Sequence, residues 1–297
     1  MKTLKKLCLA TILFMVSGFH IAAQEDVTKF FLTNHDFDSN FDYQSGNTTV
    51  VKEEIKEIKG WIPDLSATYT ITGVYEYGFK GTYNSSSVPA ESYTGGAGGG
   101  LALSTGWDQT FCYYQNVTLP AGTYTINVPT YNGKSVSAGT SKLAWIPTSG
   151  TTVSSTLAAY PSKKWTLDQI TFTLSKQTTG KVQIGYKAAS GGSANSANLL
   201  IDYVQILATD MTVNKTGLKT NLQTANKLYG TGTGIEADSL KKTIDAAQIV
   251  YDNTESTMPQ VLEANYLLEC TMEYYRIVNA SETNPLDCTS YIQNPTF

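Results

Sequence analysis

The sequence predicts a mainly β protein: a β-sandwich followed by a small antiparallel three-helix bundle. Three observations lead there. Between residues 101 and 207, apolar and polar residues alternate in short runs rich in aromatic and β-branched side chains, the pattern of half-buried strands. Glycine, proline, asparagine and serine punctuate those runs and no helical pattern interleaves with them, which favours two stacked antiparallel sheets. At Ala208 the period changes to about 3.6 residues, that of amphipathic helices.

The chain has 297 residues, 41% of them hydrophobic, enough for a sizeable core in one large or two ordinary domains. Charged residues make up only 15%, the net charge is −4, and no basic cluster appears, so nucleic-acid binding has no support. Residues 1–23 read as a secretion signal. Lys2, Lys5 and Lys6 precede an apolar run too short to span a bilayer, and Ile21-Ala22-Ala23 leads to a cut at Gln24. No other long apolar run follows, so the mature chain is expected to lack a transmembrane segment and to be secreted, periplasmic or cell-surface. Cys8 leaves with the signal. Cys270 and Cys288 pair if the chain turns back after the last helix; the alternative is that they and Cys112 are free thiols.

Residues 27–33 (VTKFFLT) read as the first strand. A charged insertion, 52–59, reads as a solvated loop or short helix. Residues 68–77 form the next strand, with Tyr69, Ile71 and Val74 as core candidates. The glycine-rich stretch 81–100 is loop, and it lacks the ending of a phosphate-binding P-loop. A strand over 101–104 leads to 111–133, FCYYQNVTLPAGTYTINVPTYNG. Here Phe111, Tyr113, Gln115 and Val117 alternate with polar neighbours, Pro120-Ala121-Gly122 breaks the pattern, and Tyr124, Ile126 and Val128 resume it. That predicts a hairpin of two paired antiparallel strands. Strands are also expected over 142–146, 165–174, 181–187 and 198–207.

In the helical part, Leu218, Leu222, Ala225 and Leu228 form one stripe, and Leu240, Ile244, Ala247 and Tyr251 a second. Thr257 caps a third helix, with Pro259 in its first turn, Gln260 completing a capping box, and Val261, Ala264, Leu268, Met272 and Tyr275 as its buried face. The last residues, DCTSYIQNPTF, repeat the start of the mature chain, DVTKFFLTNHDF, with one gap, and both end in Asn-x-x-Phe.

The phrase YQNVTLPAGTYTI (114–126) resembles a strand pair of bacterial carbohydrate-binding modules of the galactose-binding-like jelly-roll type. Asn34-His-Asp-Phe37-Asp38, followed by Gly60-Trp61, resembles the opening of such modules, and LLIDYVQIL (199–207) resembles their last strand. ADSLKKTIDAAQIVYDN (237–253) resembles the three-helix repeat known as "found in various architectures". After the signal over 1–23, these resemblances imply a jelly-roll sandwich over 25–208 and a helical bundle over 212–280, and the terminal repeat reads, over 285–297, as the first strand of a second sandwich. The alternative for 285–297 is a strand added to the same sheet.

Sugar binding needs flat apolar faces against pyranose rings, flanked by amides and carboxylates. Trp107, Tyr114, Tyr131 and Trp145 are the candidates, set against packing roles for each; Trp61 and Trp165 are assigned to the core. Asp202 shares parity with Leu200, Val204 and Ile206, so it is expected to point inward, where a carboxylate needs a cation or hydrogen-bond donors. The resemblance implies a structural calcium there, held by Asp202 with Asp38, or Asp36 in its place; the alternative is that Asp202 accepts from loop amides. Catalysis finds no nucleophile or metal motif around His35. The expected function is a non-catalytic, polysaccharide-binding module with a helical spacer and neighbouring modules. Its rivals are a structural or adhesive surface protein and the accessory N-terminus of a glycoside hydrolase.

Overall fold

The computed structural model describes residues 24–37, 43–44, 58–65, 70–76, 82–83, 86–87, 89–95, 99–191, 197–230, 235–281 and 285. The signal, most of the charged insertion, Asp38, Tyr69 and the repeated segment after Pro285 lie outside the described residues.

The elements run β1 (Glu25–Asp26), α1 (Thr28–Phe31), β2 (Tyr43–Gln44), β3 (Ile62–Leu65), β4 (Thr70–Glu76), β5 (Thr82–Tyr83) and β6 (Ser86–Ser87). Next come β7 (Gly99–Thr105), β8 (Thr110–Leu119), β9 (Gly122–Asn132), β10 (Thr140–Ser141), β11 (Ala144–Pro147) and β12 (Val153–Ser154). The sandwich closes with β13 (Trp165–Leu174), β14 (Thr178–Lys187), β15 (Ala197–Ile201) and β16 (Gln205–Thr209), and α2 (Thr216–Tyr229), α3 (Ile235–Asp252) and α4 (Met258–Val278) follow. Sheet I orders β1-β16-β9-β15-β7-β4-β2, with β13 on the other edge of β9; sheet II orders β12-β11-β14-β8-β3, with β10 beside β14. The predicted class, a mainly β sandwich followed by a small helical region, is what forms.

The predicted hairpin at 111–133 does not pair. β8 runs the full length of β14, from Thr110↔Lys187 to Leu119↔Thr178, in sheet II. β9 instead pairs with β13, from Gly122↔Leu174 to Tyr131↔Trp165, in sheet I. Pro120 and Ala121 therefore cross between sheets, and the Tyr124 hydroxyl ties the corner by donating to the Pro120 carbonyl at 2.9 Å. β13 and β14 are likewise neighbours in sequence and on opposite sheets. Alternation reports which side of a strand is apolar, and that side is the same whether the next strand pairs with it or faces it.

Residues 28–31 form one helical turn where a strand is expected. The Asp26 carboxylate accepts from both the Thr28 N–H, at 3.0 Å, and the Thr28 hydroxyl, which bends the chain immediately after β1. Beyond it, the Asn34, Phe37 and Trp61 of the sequence phrase meet. The Trp61 indole N–H donates to the Asn34 carbonyl at 3.0 Å, and the Phe37 and Trp61 rings lie 5.8 Å apart. Gly60 sits at φ +81°, and a Cβ there would come within 2.9 Å of the Thr33 side chain, which is why glycine precedes the tryptophan.

Between the sheets, Tyr113, Val117, Val182, Ile184 and Tyr186 of sheet II meet Tyr124, Ile126, Ile170, Phe172 and Ile206 of sheet I. Asp168 of β13 belongs to this interior although it is charged. It is 2% exposed and accepts from the hydroxyls of Ser141, Ser155 and Tyr160, the last at 2.8 Å. These donors make its burial tolerable.

The helices follow the expected stripes. Leu218, Leu222 and Ala225 of α2, Leu240, Ile244 and Ala247 of α3, and Val261, Ala264, Leu268 and Met272 of α4 share one core. The capping box at Thr257 and Gln260 forms as expected. The Lys215 ammonium donates to the carbonyls of Val250, at 3.0 Å, and Tyr251, at 2.9 Å, at the end of α3, where cations are favoured. The helices also touch the sandwich. Lys29 pairs with Glu263 at 2.6 Å, Phe30 packs edge-on against Tyr266, and Met211 and Leu262 border both cores. Cys112 is buried and Cys270 exposed, both as free thiols.

Candidate functional site

Residues directly opposite in an antiparallel ladder lie on the same face. On the outer face of sheet I, Tyr131 of β9 therefore stands between Trp165 of β13 and Leu200 of β15. The Tyr131 and Trp165 rings are 5.5 Å apart at an interplanar angle of 62°, so they form a corner rather than a flat table. Tyr93, from the loop 89–95, meets the other side of Trp165 at 6.1 Å. The Trp165 indole N–H donates to the Glu91 carbonyl at 3.3 Å, which sets the ring's orientation. Two residues down β9 from Tyr131 comes Pro129, opposite Leu167, which is 40% exposed. The result is an apolar strip in which Tyr131, Trp165, Leu167 and the loop residue Tyr93 reach the surface over the buried Pro129 and Leu200.

The next row down is polar. Gln169 donates its amide to Asn127 Oδ1 at 2.7 Å, Asn127 donates to Gln205 Oε1 at 3.0 Å, and Gln205 donates to Asp26 Oδ2 at 2.9 Å. This ladder crosses four strands with every amide pointed the same way. Each side chain keeps spare donor or acceptor capacity on its solvent side. Burial pushes the Asp26 carboxyl up, but the hydrogen bonds from Thr28 and Gln205 and the nearby His35 outweigh it and hold the group below its ordinary value. Burial raises the Tyr131 phenol, and burial with the Asp202 carboxylate raises that of Tyr203. Both remain neutral at physiological pH, able to donate as well as accept.

The four sugar-contact residues expected from the sequence do not form one site. Tyr131 is in the corner just described. Trp107 is 51% exposed at the tip between β7 and β8, at the same end of the sandwich. Its neighbour Asp108 is bonded to Ser190 and Lys187, which hold its carboxyl below the ordinary value. Tyr114 is on the opposite sheet's outer face, under the Lys181 ammonium at 3.9 Å from its ring centre. Trp145 is corrected to the core: it is 1% exposed and stacks on Phe172 with rings 5.2 Å apart and 3° from parallel. Gly180 leaves it room, since a Cβ there would lie 2.7 Å from the indole. Trp61 is in the core as expected, whereas Trp165 is not. Opposite parity to Ile170 and Phe172 was the available signal for Trp165; nothing in the sequence marked Tyr93.

Asp202 does not point into the core. β15 and β16 are two strands, not one, and the chain spends two residues, Asp202 and Tyr203, between the inward Ile201 and the inward Val204. That break reverses the parity and turns Leu200 to the outer face. The Asp202 carboxylate, 6% exposed, accepts the Tyr93 N–H at 2.9 Å, while its own N–H donates to the Pro129 carbonyl at 3.0 Å. The alternative reading, a bond to a loop amide, is thus present. Asp36 lies near this seam, where the Val204 N–H donates to the His35 carbonyl at 2.8 Å. Among the described residues no group of three or more acidic, histidine or cysteine side chains is placed to hold a metal ion, and Asp38, the expected partner of Asp202, lies outside them.

No family model and no curated protein matches the chain. Some solved structures match parts of it at low sequence identity. A family-61 carbohydrate-binding module in complex with β-1,4-galactotriose matches with 15% identity and a TM-score of 0.33, over 60% of this chain and 97% of that one. The CBM22-1 xylan-binding domain of Paenibacillus barcinonensis Xyn10C matches with 13% identity and a TM-score of 0.35, over 55% and 95%. An enzymatically active domain of a bacteriophage CBA120 tailspike protein matches with 11% identity and a TM-score of 0.36, over 60% of this chain but only 21% of that one.

Proposed function

We propose that this chain is a secreted, non-catalytic carbohydrate-binding module with a helical spacer, and that its glycan lies across the outer face of sheet I. One observation carries the reading: the partly exposed Tyr131–Trp165 corner stands beside a ladder of oriented amides ending on a carboxylate. Pyranose rings present C–H faces flanked by hydroxyls, and the two rows offer a partner to each. Rings fixed by strands and by the Glu91 carbonyl lose little freedom on binding. Trp107, at the same end, is placed to touch a longer chain. Residues 287–297 suit the start of a neighbouring sandwich. In sequence, Asp287, Thr289, Tyr291, Asn294 and Phe297 align with Asp26, Thr28, Phe30, Asn34 and Phe37 of the first.

Affinity electrophoresis through gels loaded with neutral plant and bacterial polysaccharides tests the reading. Retardation by at least one glycan is expected, with Trp165→Ala weakening it from about fivefold to about a hundredfold, the range for losing an aromatic anchor worth ~1–3 kcal/mol. Retardation by none, or binding that survives both Trp165→Ala and Tyr131→Ala, would refute it.

A further inference from the structure

The amide ladder does not end in open solvent. At its Asp26 end the surface sinks into a cavity of about 320 Å³ lined by Asp26, His35, Asp36, Thr94, Tyr203 and Gln205. Two features tie it to the aromatic corner. Gln205 belongs both to the ladder and to the cavity wall. Thr94 lines the cavity while its neighbour Tyr93 packs on Trp165. A chain crossing the corner therefore reaches the cavity without leaving the protein surface.

Resting on the proposed glycan face, we infer that this cavity receives the terminal residue of a neutral glycan, making the module a reader of chain ends rather than of chain middles. The volume is at the small end of ligand sites and suits roughly one or two pyranose rings. The lining suits hydroxyls. Asp26 is held as a carboxylate and accepts, the neutral Tyr203 phenol both donates and accepts, and the His35 imidazole and Thr94 hydroxyl add further partners. Gln205 is fixed by Asn127 on one side and Asp26 on the other, so its position is set before a ligand arrives. Asp26 already accepts from the Thr28 N–H and hydroxyl and from Gln205, which leaves its second oxygen room for one ligand hydroxyl, and a terminal residue has a hydroxyl that a mid-chain residue has spent on its next linkage. The same wall repels a uronic acid, because Asp26 and Asp36 would face its negative charge.

The test uses the full chain and the oligosaccharide of the polysaccharide that retards it, measured by calorimetry. Three ligands are compared: the oligosaccharide itself, the same with its reducing end converted to the alditol, and the same with a uronic acid at its non-reducing end. Altering one of the two ends is expected to lower affinity at least tenfold. Tyr203→Phe and His35→Ala, checked for an unchanged melting temperature, are expected to lower affinity several-fold for the parent oligosaccharide and to erase the preference between ends. If both altered ligands bind as the parent does, or if both variants bind as wild type while Trp165→Ala is impaired, the terminal pocket is overturned and the glycan face stands. If no glycan binds at all, both fall together.

Discussion

Replacing Asp168 tests how the interior holds a charge. The carboxylate sits on the inward side of β13, opposite Val128, and accepts three hydroxyls that come from separate places: Ser141 in β10, Ser155 after β12, and Tyr160 in the following loop. Ser141 and Ser155 in turn accept the N–H groups of Leu143, at 3.0 Å, and Leu157, at 3.1 Å. Asp168→Ala strands three buried donors, each worth about 1–3 kcal/mol, while removing the cost of burying the charge. The balance expected is a loss of about 3–5 kcal/mol, the range for breaking one side of a buried charged network. Asp168→Asn keeps the shape and one acceptor, and about 1–2 kcal/mol is expected. In urea, with a slope of about 2 kcal/mol/M, the alanine variant should unfold at a midpoint ~1.5–2.5 M lower. Tyr160 supplies a second measurement. Burial, with the carboxylate behind it, holds its phenol well above the ordinary value, so in either variant its ultraviolet titration should move down. An Asp168→Ala protein within about 0.5 kcal/mol of wild type would refute the network as a source of stability, because surface substitutions alone reach that size.

Two further outcomes follow from the N-terminal segment. Asp26 is held below its ordinary value, so its contribution is present above the unfolded carboxyl pKa of about 3.9 and is lost as pH falls through the lower folded value. Asp26→Asn should therefore destabilise the protein at neutral pH and shrink its loss of stability in that acid window; an unchanged acid-unfolding profile would contradict the assignment. If residues 287–297 open a second sandwich, the coding sequence beyond Phe297 should continue with a Gly-Trp and then a strand, Pro-Ala-Gly, strand phrase. A continuation without alternating strands would remove that proposal.

The sequence by itself determined the kinds of element and their faces. Alternation put Tyr113 and Tyr114 on opposite sides of β8, and the helical stripes supplied the bundle core, with Leu228, Tyr251 and Tyr275 at its margin, while the Thr257 capping box formed as read, because periodicity and caps are local physics read within one or two turns. It also joined Asn34, Phe37 and Trp61 in one phrase, which the fold brings into contact. What it did not determine were partners. Whether β8 pairs with β9 or faces it depends on which distant strand fills the open edge, and β14 does so from residues far along the chain, Thr178 opposite Leu119 at one end of the ladder and Lys187 opposite Thr110 at the other. The same long-range choice decided the carboxylates. Parity counted along an unbroken strand put Asp202 inside, but the break after Ile201 turned it outward to Tyr93, while Asp168, in phase with Ile170 and Phe172, became the buried charge. The candidate site was legible only in Tyr131. Trp165, Tyr93 and the amides of Asn127, Gln169 and Gln205 come from four separate segments, and only sheet register, a property of pairing rather than of any one strand, sets them side by side.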